Sequence, residues 1–333
     1  FFDVSDNQFG FKKGLGCSHA IYTVRNVVDC YVKGGSTVNL CALDLSKAYD
    51  KTNHHALFIK LMNRNLPVEL LLMFENWFSN CWTCIKWETI SSSFFMIEFG
   101  VRQGSVLSPN FFAVYLDDIV DRFYPGRGIH IVMYADDILL IAPSVSELQR
   151  LLDECETELN YLDMCINTKK SCCLRIGPRC DSYCADIITS SGNALPWVSE
   201  MRYLGIFIIK SRYFKCSLAH AKRACYRCLN AIFGKIGRVA SEEVVLELVA
   251  KKCLPVLLYG LEVCPLTNTD KKSLDFVTTR FLMKLFKTVD MNVIKDCQTF
   301  FKFKSPSELL DVRTKKFINK VVCCDNICLH YNT

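Results

Sequence analysis

No apolar run in this chain reaches the length of a membrane span; the best candidate, residues 253–264, is too short and carries Glu262. The start of the chain has no secretory leader pattern, so the sequence predicts an intracellular protein of cytoplasm and nucleus, without a membrane partner. Internal repeats and low-complexity segments are missing as well. The 20 cysteines follow no regular framework and often sit beside bulky apolar residues, which reads as reduced thiols rather than a disulfide scaffold. Cys323, Cys324, Cys328 and His330 do not have the spacing of a zinc site. His54 and His55 have no acid or thiol at ligand spacing, so they read as structural. The most informative absence is of acidic residues: residues 201–240 hold nine Lys or Arg and no Asp or Glu. The rest of the chain then carries 31 basic against 34 acidic residues, so the excess charge of +6 is concentrated in one region. A polyanionic partner is the natural match for such a region, although isolated charge runs also occur as solvated faces.

Half of the 333 residues are apolar, enough to bury the core of one large domain or two. The chain is organised around Ile131-Val132-Met133-Tyr134-Ala135-Asp136-Asp137-Ile138-Leu139-Leu140-Ile141. Two strand-length, β-prone apolar runs flank two adjacent carboxylates, and Gly126 and Gly128 mark a turn upstream. This predicts a buried hairpin with Asp136 and Asp137 at its tip. Carboxylates held there are costly unless compensated, and oxygen-only ligands suit Mg²⁺ or Mn²⁺. Taken alone, such a pair also fits a solvated turn. Tyr115-Leu116-Asp117-Asp118 looks similar but reads as helix, because Phe112, Tyr115, Leu116, Ile119, Val120 and Phe123 recur at helical spacing. Ser108-Pro109 would cap that helix, leaving Asp117 and Asp118 solvated.

Upstream, residues 18–33 read as a helix, and Val38 to Leu43 as a buried strand that ends in Asp44. An aspartate there is either a cap or a carboxylate whose position the strand fixes. Helices are expected over 53–64 and 67–79, then strands near 82–88 and 94–99. The Gly100–Pro109 loop, with Gln103 and Gly104, leads into the next helix. Ser144-Val145-Ser146-Glu147 has the pattern of a capping box, opening a helix with Leu148, Leu151, Leu152, Cys155, Leu159 and Leu162 on its core face. Asn167 to Ser171 turns into a strand over Cys172–Ile176. Tyr203 to Ile209 reads as one further strand, whose Gly205 implies a bulge or a close backbone approach. Helices are then expected over 215–233, 242–252, 269–287 and 306–322. The first carries Leu218, Cys225, Leu229 and Ile232 on one face and Lys215, Lys222, Arg223 and Arg227 on another. Carboxylates on neighbouring strands that share metal ions, with a basic helical region downstream, suggest nucleotidyl transfer.

The ordered set of motifs resembles reverse transcriptases of non-LTR (LINE-type, jockey-like) retrotransposons. Gln8-Phe9-Gly10-Phe11-Lys12-Lys13-Gly14 is similar to the family's fingers motif, and Ala42 through Asp50 to motif A. Gly100 through Pro109 is similar to motif B, Tyr134-Ala135-Asp136-Asp137 to motif C, Asn167 through Ser171 to motif D, and Tyr203-Leu204-Gly205 to motif E. Leu257 through Glu262 is similar to a segment of the thumb or connection. The resemblance implies an α+β right-hand polymerase. Fingers and an antiparallel palm would occupy residues 1–210, a helical thumb 211–300 and a helical tail 301–333.

It also implies roles. Asp44 and Asp136 would hold catalytic Mg²⁺ or Mn²⁺, with Asp137 in support. Tyr49 would be a steric gate against the ribose 2′-OH, and Tyr134, Gln103 and Gly104 would lie against the incoming nucleotide and template. Lys170 would be the general acid for the pyrophosphate leaving group. Tyr203, Leu204 and Gly205 would grip the primer, and Lys215, Lys222, Arg223 and Arg227 would contact nucleic acid. The implied partners are an RNA template, a DNA primer or target, and dNTPs. An upstream fingers segment and an endonuclease domain common in the family are not found, so the expectation is an N-terminally truncated part of a longer polyprotein. A non-catalytic nucleic-acid-binding remnant and a group II intron maturase-like protein are the alternatives.

Overall fold

The computed structural model describes residues 2–121, 128–237 and 239–330. Phe123, Gly126 and Arg238, the last of the nine basic residues over 201–240, lie outside them, as does the side chain of His330. The chain divides into two compact units, one of residues 1–20 and 31–198, the other of residues 21–30 and 199–333.

The first unit is built on four strands: β1 (Val38–Leu43), β2 (His130–Tyr134), β3 (Asp137–Ala142) and β4 (Cys172–Ile176). Their order is β2-β3-β1-β4, and every neighbouring pair is antiparallel. The two central strands are the most apolar. β3 is buried from Ile138 to Ala142, and β1 is buried at every position except Ala42. A strand covered on both faces reads as a near-continuous apolar run, and β1 departs from it only at Asn39, which is buried and donates from Nδ2 to the Ala142 carbonyl at 3.3 Å. The core takes Leu43, Met133, Ile138 and Leu140 from this sheet, together with residues of two helices. From α4 (Ser108–Leu116) come Phe111, Phe112 and Tyr115; from α5 (Val145–Tyr161) come Leu148, Leu152 and Cys155. Helices α2 (His54–Asn63) and α3 (Val68–Ser79) also belong to this unit, whereas α1 (Cys17–Lys33) is divided, its residues 21–30 belonging to the second unit. Between α3 and α4 lie two small ladders, 82–83 with 95–96 and 86–87 with 90–91, in place of two longer strands.

Local chemistry explains where several elements begin. The Asn53 side chain accepts hydrogen bonds from the backbone N–H groups of His55 and Ala56, capping α2. Ser144 accepts from the Glu147 N–H, but the Glu147 carboxylate pairs with Arg150 at 2.6 Å, so only half of the expected capping box forms. Ser108 is not a cap. Leu107 already has helical dihedrals, and Ser108 is the buried first residue of α4. Asp117 also differs from the solvated residue expected. It is 6% exposed, accepts from the Ser5 N–H at 2.8 Å and pairs with Arg64 at 2.5 Å. Its neighbour Asp118 pairs with Lys60 at 2.7 Å.

In the second unit, residues 200–209 form a hairpin rather than one strand: β5 (Glu200–Tyr203) pairs with β6 (Ile206–Ile209). Both turn residues, Leu204 (φ 43°) and Gly205 (φ 85°), are left-handed, the conformation a two-residue hairpin turn of type I′ requires. Residues 215–217 are extended, not helical. The Ile209 N–H donates to the Lys215 carbonyl at 2.9 Å, and the Ser217 N–H to that of Phe207 at 2.7 Å. Helices α6 (Ala219–Ile236), α7 (Glu242–Leu248), α8 (Asn268–Phe286), α9 (Met291–Phe300) and α10 (Pro306–Val322) follow. After α7 the chain widens into a π-type turn over Val249–Cys253. Pro255, which has no N–H to continue the α-helical ladder, accounts for the interruption. A reciprocal Ser305–Glu308 capping box opens α10. No helix among the described residues is long and apolar enough to cross a membrane.

Candidate active site

The antiparallel register collects the motif residues at one end of the four-stranded sheet. β2 and β3 are joined by the two-residue turn Ala135-Asp136, with Tyr134 paired to Asp137 across it. β1 runs alongside β3 with Leu43 opposite Ile138, so Asp44 leaves β1 at the end where that turn lies. β4 lies on the other side of β1 with Cys172 opposite Ala42, which brings Lys170 and Ser171 to the same end. Three stretches far apart in sequence thus meet through sheet register alone.

Asp44 is half-buried and firmly held. Its N–H donates to Ser171 Oγ at 3.0 Å, and its carbonyl accepts from the Asn167 N–H at 2.8 Å. The Ser46 N–H donates to the Cys165 carbonyl at 2.9 Å, extending the tie between these two stretches. Lys170 Nζ stands 3.6 Å from Asp44 Oδ2, while most of its side chain faces solvent. Ser171, only 1% exposed, is a positioning contact the sequence reading did not assign. Its one signal was its place at the end of the Asn167–Ser171 turn.

Tyr49 lies near the carboxylate turn. Burial, and then the negative charge of Asp136, push its phenol up to about 12. Its ring stacks on Phe112 of α4 at 4.3 Å, which fixes the ring plane. The base of the Gly100–Leu107 loop is zipped to the same segment. The Gly100 N–H donates to the Thr52 carbonyl and the Val101 N–H to the Tyr49 carbonyl, both at 2.8 Å. Gly100 is required there: its φ is 88°, and a Cβ would fall 2.9 Å from the Tyr49 and Asp50 carbonyl oxygens. His54 completes the junction by donating from Nε2 to the Gly100 carbonyl at 2.8 Å, and burial lowers its pKa, consistent with a neutral structural ring. Gln103 and Gly104 project from this loop and are exposed. Tyr134, half-buried at the end of β2, has its phenol raised to about 12 by burial and by a contact with Cys17.

Among the described residues no three His, Cys, Asp or Glu side chains converge into a closed metal cage. Mg²⁺ rarely uses such a cage; it binds through one or two carboxylates, water and substrate phosphates. The donor set here, the carboxylates of Asp44, Asp136 and Asp137, is all oxygen, which fits a hard divalent ion.

In the second unit the Leu204-Gly205 turn lies against the 257–262 segment. A Cβ on Gly205 would meet the Tyr259 ring at 2.7 Å, and one on Gly260 would meet Ile206 at 2.8 Å. These two close approaches interlock the hairpin with that segment. Beside them is a cavity of about 610 Å³ lined in part by Arg202, Arg227, Tyr259 and a His220–Phe207 pair stacked at 3.6 Å. Lys215, Lys222 and Arg223 line a neighbouring cleft with Tyr226 and Asp270.

An antiparallel sheet with a carboxylate turn between its edge strand and its centre, and a further aspartate leaving the adjacent strand, defines a polymerase palm. The chain belongs to the reverse transcriptase (RNA-dependent DNA polymerase) family, whose model matches residues 2–208. It is 25% identical over 272 residues to an RNA-directed DNA polymerase from the mobile element jockey of Drosophila funebris, covering 77% of this chain and 29% of that protein. To the probable RNA-directed DNA polymerase from transposon BS of Drosophila melanogaster it is 24% identical over 282 residues, covering 78% and 30%. These relatives bear out the resemblance to the non-LTR group, and the chain spans under a third of their length. A telomerase from Candida albicans, solved with the TWJ fragment of telomeric RNA, superposes over 90% of this chain and 55% of its own with a TM-score of 0.50 at 10% identity. That likeness extends the fold assignment to a reverse-transcriptase palm followed by helices.

Proposed function

We propose that this chain is the polymerase part of a non-LTR retrotransposon protein and extends a primer 3′-OH with dNTPs on an RNA template. The observation that carries the reading is the gathering of Asp44, Asp136, Asp137 and Lys170 at one end of the sheet. Asp44 and Asp136 would hold Mg²⁺ or Mn²⁺, with Asp137 in support. When bound, such ions stabilise the charge on the attacking and leaving oxygens of an in-line phosphoryl displacement. Lys170 has a flexible, solvated ammonium beside Asp44, suited to delivering a proton to the departing pyrophosphate. Gln103 and Gly104 would contact nucleotide and template from a loop whose base is fixed on Tyr49, and Tyr134 would face the same substrate. Residues 1–210 would form fingers and palm, 211–300 the thumb and 301–333 a tail. At the end of the palm, Tyr203, Leu204 and Gly205 would grip the primer. Lys215, Lys222, Arg223 and Arg227 would contact phosphates, and the neighbouring arginine- and aromatic-lined cavity suits a polynucleotide strand.

The stacked, half-buried Tyr49 supports deoxynucleotide selection, because a ring pinned on Phe112 cannot swing aside for a 2′-OH. Single-nucleotide addition tests this. Wild type is expected to prefer dTTP over UTP, and Tyr49→Val to raise relative kcat/KM for UTP by roughly tenfold to a hundredfold while keeping dTTP addition. An unchanged ratio would remove Tyr49 from the gate.

A further inference from the structure

Gln8 lies in the N-terminal segment, 127 positions from the carboxylate turn in sequence, and is completely buried beside it. The backbone here runs against β2: the Phe9 N–H donates to the Met133 carbonyl and the Met133 N–H to that of Asn7, both at 2.8 Å. This pairing delivers the Gln8 side chain to Ala135. Its Oε1 accepts from the Gly10 N–H at 2.8 Å and from the Ala135 N–H at 3.0 Å, and its Nε2 reaches the Ala135 carbonyl at 3.4 Å. The orientation of the amide is fixed by these partners, since a flipped group would aim its NH₂ at two N–H donors. Ala135 needs such a hold. Its φ of 56° is a left-handed conformation that a residue with a Cβ adopts at a cost. Gly10 closes the clamp from the other side, where a Cβ would lie 2.5 Å from the Ala135 nitrogen.

We propose that Gln8 is a positioning residue for catalysis: its buried amide holds the peptide of Ala135 and thereby sets where Asp136 presents its carboxylate. The proposal rests on the reading of Asp136 as a metal-holding residue. Gln8 touches no reacting atom; it acts through the turn. Loss of its oxygen leaves two buried N–H groups without this acceptor, that of Gly10 and that of Ala135 in the turn that carries Asp136. Support of this kind for a metal ligand typically governs metal affinity by ten- to a hundredfold.

The test uses the full chain with Mn²⁺ as probe. Gln8→Met keeps the length and removes the acceptor, while Gln8→Glu keeps an acceptor oxygen. Mn²⁺ affinity is read by electron paramagnetic resonance, and kcat and KM for dTTP by primer extension, with Asp136→Ala alongside. Gln8→Met is expected to bind Mn²⁺ about ten- to a hundredfold more weakly and to lose kcat with little change in KM, and Gln8→Glu, which keeps the acceptor but sets an oxygen against the Ala135 carbonyl, to fall between Gln8→Met and wild type. Should Gln8→Met not fold, Gly10→Ala serves instead, since its Cβ would meet both the Ala135 nitrogen at 2.5 Å and Gln8 Oε1 at 3.0 Å and so force the clamp and the turn apart, and weakened Mn²⁺ binding is again expected. Wild-type Mn²⁺ binding by Gln8→Met or Gly10→Ala beside a defective Asp136→Ala would overturn the clamp alone. Wild-type binding by Asp136→Ala would overturn the reading of the turn, and the clamp with it.

Discussion

Asp44→Asn is expected to reduce primer extension by roughly a thousandfold or more while leaving the fold and primer–template binding unchanged. Asparagine matches aspartate in size, and the two contacts that fix residue 44 in place are backbone ones, to Ser171 Oγ and the Asn167 N–H. Neither depends on the charge. The charge itself contributes little to stability. Lys170 stands 3.6 Å away but is 69% exposed, and a pair this open to solvent stabilises a protein by at most about 1 kcal/mol. The substitution therefore separates chemistry from folding. Single-turnover extension by Asp44→Asn within tenfold of wild type would move the metal-holding role elsewhere. A fall in Tm of more than about 4 °C would show that Asp44 also carries the fold.

The second large effect concerns stability. Asp117→Ala is expected to cost about 3 kcal/mol, because it removes the buried carboxylate of an ion pair and leaves the largely buried Arg64 guanidinium without its counter-charge. Asp117 is 6% exposed and joins three stretches of chain: its own, the Ser5 N–H at 2.8 Å and the Arg64 guanidinium at 2.5 Å. Arg64 also donates to the Asp3 carbonyl. Loss of the carboxylate frees the N-terminal segment as well as the end of α2. The expected fall in Tm is roughly 5–15 °C. The double variant Arg64→Ala/Asp117→Ala should be less destabilised than the sum of its single variants, since the residues act as a pair. A loss under about 1 kcal/mol for Asp117→Ala would place this aspartate among ordinary surface acids.

That aspartate also shows where the sequence stops being legible. The repeat of Phe112, Tyr115, Leu116 and Ile119 identifies the helical stretch, but a periodic pattern cannot tell that Ser5 and Arg64 cover its polar end. The Asp136-Asp137 hairpin was legible because both flanking strands are buried and so read as unbroken apolar runs. Asp44 was legible as the end of such a run, and its convergence with Asp136 was suggested by the motif order. The contacts that hold it, through Ser171 and Asn167, depend on a register set by the whole sheet. The sequence shows Tyr203–Ile209 as one strand and not as the turn and second strand of a hairpin, because Leu204 is not a residue that signals a left-handed turn. Helix α9 escaped notice for a related reason. Met291, Ile294 and Cys297 recur at helical spacing, but the helix has only ten residues, and its cap, the Asp290 side chain accepting from the Asn292 N–H, is a local signal easily read as a turn. Gln8 belongs to a motif visible in the sequence, yet nothing local indicates that its amide ends at Ala135.

The most direct test of the polymerase reading is extension of oligo(dT) on poly(rA) with dTTP and Mg²⁺ or Mn²⁺, wild type beside Asp136→Ala. Wild type is expected to extend the primer, and Asp136→Ala to bind the same RNA with the same salt dependence yet add no nucleotide. Equal extension by both would contradict the assignment of the carboxylate turn, and no extension by either, with RNA binding intact, would contradict the enzyme and leave a nucleic-acid-binding protein on a polymerase fold.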